Sequence, residues 1–169
     1  METFNTLKAK QEKFLQLKVV EQMKYADIEK KMGVNRAQLT EWWRELKDYR
    51  EPLIEIRNIW KKKCPQLDFW EFHNWFTKTK RKCHYCGIDE QQITKLISRG
   101  KIKTKRLKTR GKKLEIERLK PNESYDELSN LVYSCYWCNN AKTDEFSEKE
   151  FEPIGKCIGS IWKTWLNSQ

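Results

Sequence analysis

Two cysteine pairs constrain the fold of this chain more than any other feature. Cys83 and Cys86 form one CxxC pair, Cys135 and Cys138 form another, and 48 residues separate the pairs. Two intervening residues let both sulfurs of a pair point at one ion, and four thiolates complete a closed tetrahedral zinc site. We therefore predict a structural zinc in a domain whose polar middle could not form a core alone.

Other interpretations of the cysteines stay open. Two unrelated pairs of buried cysteines would need no metal, and a CxxC pair also serves redox chemistry, although two copies without a βαβ pattern argue against that role. Residues 1–10 are charged throughout and lack the apolar segment of a signal peptide. We expect a cytoplasmic, bacterial or phage intracellular location, where thiols stay reduced, with Cys64 and Cys157 as ordinary buried thiols.

Positive charge dominates the composition. The chain has 35 Lys and Arg against 24 Asp and Glu, a formal net charge of +11, which favours a polyanionic partner with nucleic acid as the leading candidate. No stretch approaches 18 apolar residues, so a membrane-spanning helix is excluded and no membrane partner is expected. Eight Trp, seven Phe and six Tyr supply large groups for a core, which argues against general disorder.

The positive charge is densest in residues 95–113, where ten of nineteen residues are Lys or Arg. Such a run would bind phosphates in a salt-sensitive way, and a merely solvated loop is the alternative. Alternation in residues 101–105 suits a β-ribbon that enters a DNA groove. The candidate DNA contacts here are Lys101, Lys103, Lys105 and Arg106.

The first 50 residues resemble a helix-turn-helix module. Apolar periodicity predicts helices over residues 7–23, 25–32 and 36–48, with Gly33 at the turn and Asn35 as the N-cap of the third helix. We expect Ala37, Leu39 and Trp42 to be buried. The side chains that could pair with base edges are Asn35, Arg36, Gln38 and Arg44. Packing against a protein partner is the alternative role.

The remaining pattern predicts an α+β fold. A helical connector over residues 51–66, interrupted by Pro52 and closed by Pro65, leads to a zinc-stapled domain over residues 67–169 with a basic insert at 92–113. A helix begins after Asp68, short strands span residues 114–118 and 131–134, and a helix starts near Cys138. The last helix carries an apolar stripe expected to face a core: Phe151, Ile154, Ile158, Ile161, Trp162 and Trp165.

Two segments of this domain resemble the HNH (ββα-metal) nucleases. They are L-E-I-E-R-L-K-P at residues 114–121 and N-L-V-Y-S-C-Y-W-C-N-N-A-K at residues 130–142, and the resemblance covers residues 67–166. It implies two antiparallel strands and a helix around a catalytic Mg²⁺ or other divalent cation. It also implies that Glu117 and Asn139 are metal ligands, that Asn130 orients the loop and the base, and that Lys142 is among the DNA contacts.

The chain departs from the family pattern at Arg118, which stands where the general-base His is expected. Arginine cannot accept a proton near neutral pH. In one restriction endonuclease of the family, to which residues 83–88, 138–139 and 146–147 are similar, an Asp-Arg pair stands here and a Tyr of the first CxxC replaces the base. The resemblance therefore implies Tyr85 as base or water positioner and Arg118 as phosphate clamp. His84 is a rival base, and His73 is expected to be structural.

The sequence thus predicts a metal-dependent HNH endonuclease that hydrolyses DNA phosphodiester bonds, in restriction or in a mobile element. Its partner would be double-stranded DNA, and a homodimer is expected if both strands are cut symmetrically. Two alternatives remain. One is a catalytically inactive HNH-fold DNA-binding regulator, which the missing His at position 118 supports. The other is a zinc-stabilised RNA-binding module.

Overall fold

The computed structural model describes residues 8–103 and 108–168 of the chain. The α+β prediction is confirmed, because these residues form eight α-helices and one two-stranded sheet. The chain divides into two compact units, residues 1–77 and 78–169. The helix after Asp68, which the sequence places in the second domain, falls in the first unit. Among the described residues, no helix has the length and apolar character needed to cross a membrane.

Helices are the only regular secondary structure in the described part of the first unit. Its aliphatic and aromatic core is fully buried and includes Phe14, Leu17, Ile28 and Leu39. Each of these side chains lies on the face of its helix that is turned toward the core. The elements are α1 (Ala9–Leu15), a π-helical turn (Gln16–Val20), α2 (Tyr25–Met32), α3 (Arg36–Glu45), α4 (Lys47–Lys63) and α5 (Phe69–Lys78).

The turn between α2 and α3 forms as the sequence predicts. Gly33 has a φ of +63°, a left-handed conformation that glycine adopts without steric cost, and it ends α2. The Asn35 side chain accepts a 2.9 Å hydrogen bond from the backbone N–H of Gln38 and so caps α3. The expected burial of Ala37 is wrong. Ala37 lies on the exposed face of α3, while Leu39 faces the core.

The predicted interruption at Pro52 is also wrong. α4 runs without a break from Lys47 to Lys63 with Pro52 inside it. A proline at this point removes one backbone hydrogen bond near the start of the helix. Leu53 and Ile56, which follow it, are buried and hold the helix against the core despite that loss. The predicted stop before Pro65 is confirmed, since Cys64 is the C-cap.

The second unit contains the sheet. Its elements are α6 (Glu90–Ser98), β1 (Glu115–Arg118), β2 (Leu131–Ser134), α7 (Tyr136–Lys142) and α8 (Glu148–Asn167). The two strands pair antiparallel, with Glu117 opposite Val132 and Glu115 opposite Ser134. A 3₁₀ turn (Leu128–Asn130) precedes β2, and α7 begins two residues after β2 ends. The predicted strand–strand–helix order is therefore present.

Helix α6 was not predicted, although the sequence contains its start signal. Asp89 accepts a 2.8 Å bond from the backbone N–H of Gln92, and the Gln92 side chain returns a bond to Asp89, which makes a capping box. The basic run thus begins on a helix. The β-ribbon prediction is wrong for residues 101–103, because the N–H groups of Lys101 and Ile102 donate to the Leu96 carbonyl at the end of α6. Lys105 and Arg106 lie outside the described residues.

The core-facing stripe predicted for α8 is partly wrong. Ile154 and Ile161 are 41% and 48% exposed, whereas the buried face contains Gly155 and Gly159 between Phe151 and Trp162. A Cβ on Gly155 would lie 2.7 Å from Cβ of Tyr85, and one on Gly159 would lie 2.7 Å from the Cys86 carbonyl oxygen. The absence of a side chain therefore lets α8 approach the first cysteine pair.

The two unpaired cysteines differ from each other. Cys64 is buried as expected, and its burial raises the pKa of the thiol to about 11. Cys157 is exposed on α8, so its predicted burial is wrong. The prediction is wrong for the same reason as the predicted apolar stripe, because the two glycines rather than the isoleucines lie on the inward face of α8.

Candidate active site

The four paired cysteines come together in the second unit. Their sulfur atoms all lie within 4.8 Å of one another, and the sulfurs of Cys86 and Cys135 are 3.6 Å apart. A zinc–sulfur bond of about 2.3 Å gives sulfur–sulfur distances of about 3.8 Å in a regular tetrahedron. The cluster therefore has the donor type and the size that zinc requires. Hydrogen bonding among the sulfurs, with Cys135 the largest contributor, lowers the pKa of Cys83 and favours one thiolate.

Backbone hydrogen bonds fix each cysteine pair. The N–H of Cys83 donates to Ile88 and the N–H of Gly87 donates to Cys83, which closes a tight turn around the first pair. Gly87 has a φ of +73°, which only glycine adopts readily. In the second pair, Cys135 is the N-cap of α7, and its sulfur accepts from the backbone N–H of Cys138 at 3.4 Å. The two pairs are thus held by a turn and by a helix start.

Glu117 is a buried carboxylate on β1. It is 5% exposed, and its Oε1 accepts a 2.9 Å bond from the backbone N–H of Arg118. Its negative charge raises the pKa of Tyr85 and opposes the burial that lowers the pKa of Lys142. A buried carboxylate is costly unless it is paired or binds a cation. Its carboxylate oxygens are of the donor type that a divalent ion binds.

Tyr85 lies in the turn of the first cysteine pair. Its ring makes edge contacts with His84 and Phe151, each at 5.1 Å between centroids, and its hydroxyl is buried without a hydrogen-bond partner among the described residues. Burial, followed by the charges of Glu117 and Glu148, raises the pKa of Tyr85 above its ordinary value. The protonated phenol is therefore favoured in this environment.

The two histidines have different surroundings. Nε2 of His84 lies 2.6 Å from the Glu148 carboxylate at the surface, next to the Tyr85 ring. His73 is on α5 in the first unit, with its ring against Phe69 and Trp70. Burial lowers the pKa of His73. These surroundings leave His84 as the rival base and match the structural role expected of His73.

Arg118 is held by the protein itself. Its Nη1 donates to the Glu123 carbonyl at 3.0 Å and its Nη2 donates to the Asp144 carboxylate at 2.7 Å. The guanidinium also lies 4.7 Å from the centre of the Tyr125 ring. Its Nε is buried and has no partner within the described ranges. A phosphate would therefore have to compete with Asp144 for this side chain.

Asn130 ties down the loop between the strands. Its Oδ1 accepts from the Lys120 backbone N–H at 2.9 Å, and its Nδ2 donates at 3.4 Å to the carbonyls of Lys120 and Ser124. It is 4% exposed. These contacts hold Asn130 against the loop, and its role in orienting the base stays a prediction. Any contribution to catalysis stays a prediction.

Asn139 and Glu115 form a contact that sequence reasoning missed. Nδ2 of Asn139 donates to Glu115 Oε2 at 2.6 Å, so the amide is paired with Glu115. Alternate residues of a strand lie on the same face, so Glu115 shares a face of β1 with Glu117. That spacing is the sequence signal that could have placed Glu115 near the candidate site. Arg110 in turn forms two hydrogen bonds with the Glu115 carboxylate, at 2.8 and 2.5 Å.

Lys142 differs from its prediction. It was expected among the DNA contacts, but it is fully buried, so its ammonium does not reach the surface. Nζ has no hydrogen-bond partner among the residues described, and burial lowers its pKa against the opposing effect of Glu117. An unpaired buried amine is costly, which makes it a candidate for function rather than stability.

The remaining predicted DNA contacts that the structure describes are exposed. Lys101 and Lys103 follow α6, and Gln38 lies on the outer face of α3. The Arg36 guanidinium stacks on the Tyr25 ring at 3.9 Å, and Arg44 pairs with Glu41 at 2.5 Å. Asn35 has its oxygen engaged in the cap. Among the candidate readers of α3, Gln38 therefore has the least engaged side chain functional group.

Comparison with known proteins finds a likeness to a solved structure. No protein-family model matches this chain, and no curated protein matches it significantly. A solved structure of the rare-cutting HNH restriction endonuclease PacI is similar to it, at 28% identity and a TM-score of 0.47. The match covers 57% of this chain and 65% of that chain. The chain is thus similar to an HNH restriction endonuclease, as its sequence predicts.

Proposed function

We propose that this chain is a metal-dependent DNA endonuclease of the HNH type. The observation that carries the proposal is the surroundings of Glu117. The charge of this buried carboxylate acts on two side chains, Tyr85 and Lys142, whose buried Oη and Nζ have no partner among the described residues. Native structures rarely leave such groups unsatisfied, so an ion or a substrate is expected to complete this site.

The residues present fit a divalent cation of the magnesium type. Glu117 offers a carboxylate oxygen, and Asn139 offers an amide oxygen because its nitrogen faces Glu115. Magnesium prefers oxygen ligands and commonly takes one or two from the protein, with water and substrate phosphate supplying the rest. When bound, such an ion polarises a phosphodiester and stabilises the leaving oxygen. The cysteine cluster, with sulfur donors, would hold structural zinc.

The protein's own groups supply the rest of the proposed chemistry. Tyr85, whose buried hydroxyl has no partner among the described residues, would act as the base or orient the attacking water. His84, next to it, is the alternative base. Arg118 would bind a phosphate oxygen in its donor fork once it leaves Asp144. Asn130 keeps the loop after β1 in place for these contacts.

The charge of the chain supports DNA as the substrate. Lys101, Lys103 and Lys108 are exposed beside the nuclease-like fold, and exposed lysines bind phosphates without sequence preference. Gln38 on α3 would contribute base contacts if the first unit binds DNA as a helix-turn-helix. Two copies would be needed to cut both strands symmetrically. A linearised plasmid would indicate cuts in both strands, and a nicked plasmid would indicate a cut in one strand.

A catalytically inactive DNA-binding regulator is the second candidate. The observation that favours it is the engagement of Arg118 by Asp144 and Glu123, together with the lack of a histidine at this position. In that case the chain would bind duplex DNA and leave it intact.

The test is cleavage of supercoiled plasmid by zinc-loaded protein with Mg²⁺, with Mn²⁺ and with EDTA. We expect metal-dependent cuts that Glu117→Ala abolishes and that Glu127→Ala, a change of an exposed carboxylate, leaves intact. Tyr85→Phe should abolish cleavage and spare binding. Binding without cuts under both metals, on DNA of varied sequence, would overturn the proposal and favour the regulator. Structured RNA at matched salt, competing better than duplex DNA, would favour the RNA-binding module instead.

A further inference from the structure

Three side chains form a chain of hydrogen bonds beside the proposed cation site. Nδ2 of Asn139 donates to Glu115 Oε2 at 2.6 Å. Nε and Nη2 of Arg110 donate to Oε1 and Oε2 of Glu115, at 2.8 and 2.5 Å. Arg110 also lies 5.1 Å from the centre of the Tyr136 ring, at the first residue of α7. The basic segment before β1 is therefore anchored to the strand and to the helix.

The chemistry of these partners fixes which way the Asn139 amide points. An ionised carboxylate only accepts hydrogen bonds, so the amide must present its NH₂ group to Glu115. The two parallel bonds from the Arg110 fork are the geometry of an arginine with an ionised carboxylate. Once the nitrogen is fixed in this way, the carbonyl oxygen of Asn139 is directed away from Glu115. The alternative orientation would aim two acceptors at each other.

We propose that Glu115, held by Arg110, is the positioning residue that presents the carbonyl oxygen of Asn139 to the divalent cation. The inference deepens the proposed function and rests on it, since Asn139 must be a ligand for the orientation to matter. Groups that hydrogen-bond to a metal ligand set its orientation, and their loss typically weakens metal binding by about 10- to 100-fold. A mere strand-to-helix contact would change stability and leave cation affinity alone.

The experiment measures Mn²⁺ affinity by electron paramagnetic resonance on the full, zinc-loaded chain, without DNA. The variants are Asn139→Ala, Glu115→Ala and the double change, with Glu127→Ala as the exposed-carboxylate control. We expect both single changes to weaken Mn²⁺ binding, Glu115→Ala by about 10- to 100-fold. The double variant should be no weaker than Asn139→Ala alone, because Glu115 acts only through Asn139.

Each other outcome overturns a different statement. Weakening by Asn139→Ala but not by Glu115→Ala would overturn the positioning role and leave the proposed cation site standing. An equal further loss when Glu115→Ala is added to Asn139→Ala would make Glu115 a ligand itself. No loss with Asn139→Ala would overturn the cation site proposed above. If Glu115→Ala fails to fold by circular dichroism, Arg110→Met tests the same network, since it removes the two bonds from Arg110 to Glu115 without changing the strand.

Discussion

The two units of this chain reach stability by different means. In residues 8–77 the buried side chains are aromatic and aliphatic groups from successive helices, together with Cys64. In residues 78–168 two four-residue strands and a seven-residue helix surround four thiols. Every buried polar or charged side chain found in the described residues also lies there, namely Glu117, Asn130, Ser134 and Lys142. The first unit is stabilised by a hydrophobic core, whereas the second unit also buries the polar and charged side chains of the candidate site, which is energetically unfavourable unless they are paired.

Metal removal is the largest expected difference between the units. Cys135→Ser, or chelation of zinc, should unfold residues 78–168 because structural zinc contributes on the order of 10 kcal/mol in small domains. Residues 8–77 contain none of the four ligands and should keep their amide protection. Hydrogen exchange read by mass spectrometry would separate the two. Cys157→Ser, which changes an exposed thiol, is the matched control. Unchanged protection of residues 78–168 in Cys135→Ser would contradict the zinc site.

The same contrast explains what the sequence could predict. Helices of the first unit follow apolar periodicity and end at Gly33 and Pro65, which are local signals. The cysteine spacing predicted the cluster, because four like ligands carry their own geometry. Pro52 was misread because tertiary packing of Leu53 and Ile56 outweighs one lost hydrogen bond.

The site was less predictable than the fold. Lys142 is buried, and Arg118 is hydrogen-bonded to Asp144. Both features depend on residues that lie 25 or more positions apart in the sequence, and no local pattern predicts such contacts. On α8 the isoleucines suggested one buried face, but Gly155 and Gly159 define another by the close approach that they permit. Hydrophobicity scales give no weight to that property of glycine.

A core substitution in the first unit should have the reciprocal effect. Phe14 is fully buried and contacts the rings of Tyr25, Trp42 and Trp43. Phe14→Ala should destabilise residues 8–77 by about 3–5 kcal/mol through lost burial and the cavity left behind. Zinc content, measured by atomic absorption, should not change.

The control for this change is Phe146→Ala, since Phe146 is 39% exposed. It should alter stability by no more than about 0.5 kcal/mol, as surface substitutions usually do. Loss of zinc in Phe14→Ala would show that the two units do not fold independently, and the comparison between them would fail.

A smaller effect is expected at the glycine contact of α8. Replacing glycine by alanine in a helix normally stabilises it by up to about 1 kcal/mol. Gly159→Ala should instead destabilise the second unit by about 1–3 kcal/mol, because its Cβ would meet the Cys86 carbonyl oxygen at 2.7 Å. Urea denaturation gives the sign. Ser160→Ala, at the exposed neighbouring position, should be neutral or stabilising. A stabilised Gly159→Ala would mean that α8 does not approach the cysteine turn this closely.

Helix caps should give the smallest effect and should not distinguish the units. Asn35 caps α3 in the first unit, and Ser147 caps α8 in the second, where Glu150 completes the capping box. Asn35→Ala and Ser147→Ala should each cost about 1 kcal/mol, because each exposes one backbone N–H that the side chain satisfied. Asn35→Asp and Ser147→Asp keep an acceptor and should retain most of the stability. Urea denaturation of the zinc-loaded protein measures the stability of all four variants.

A much larger loss of stability for Ser147→Ala than for Asn35→Ala would show that α8 depends on its first turn to hold the cysteine cluster. A local contact in the second unit would then be coupled to its metal.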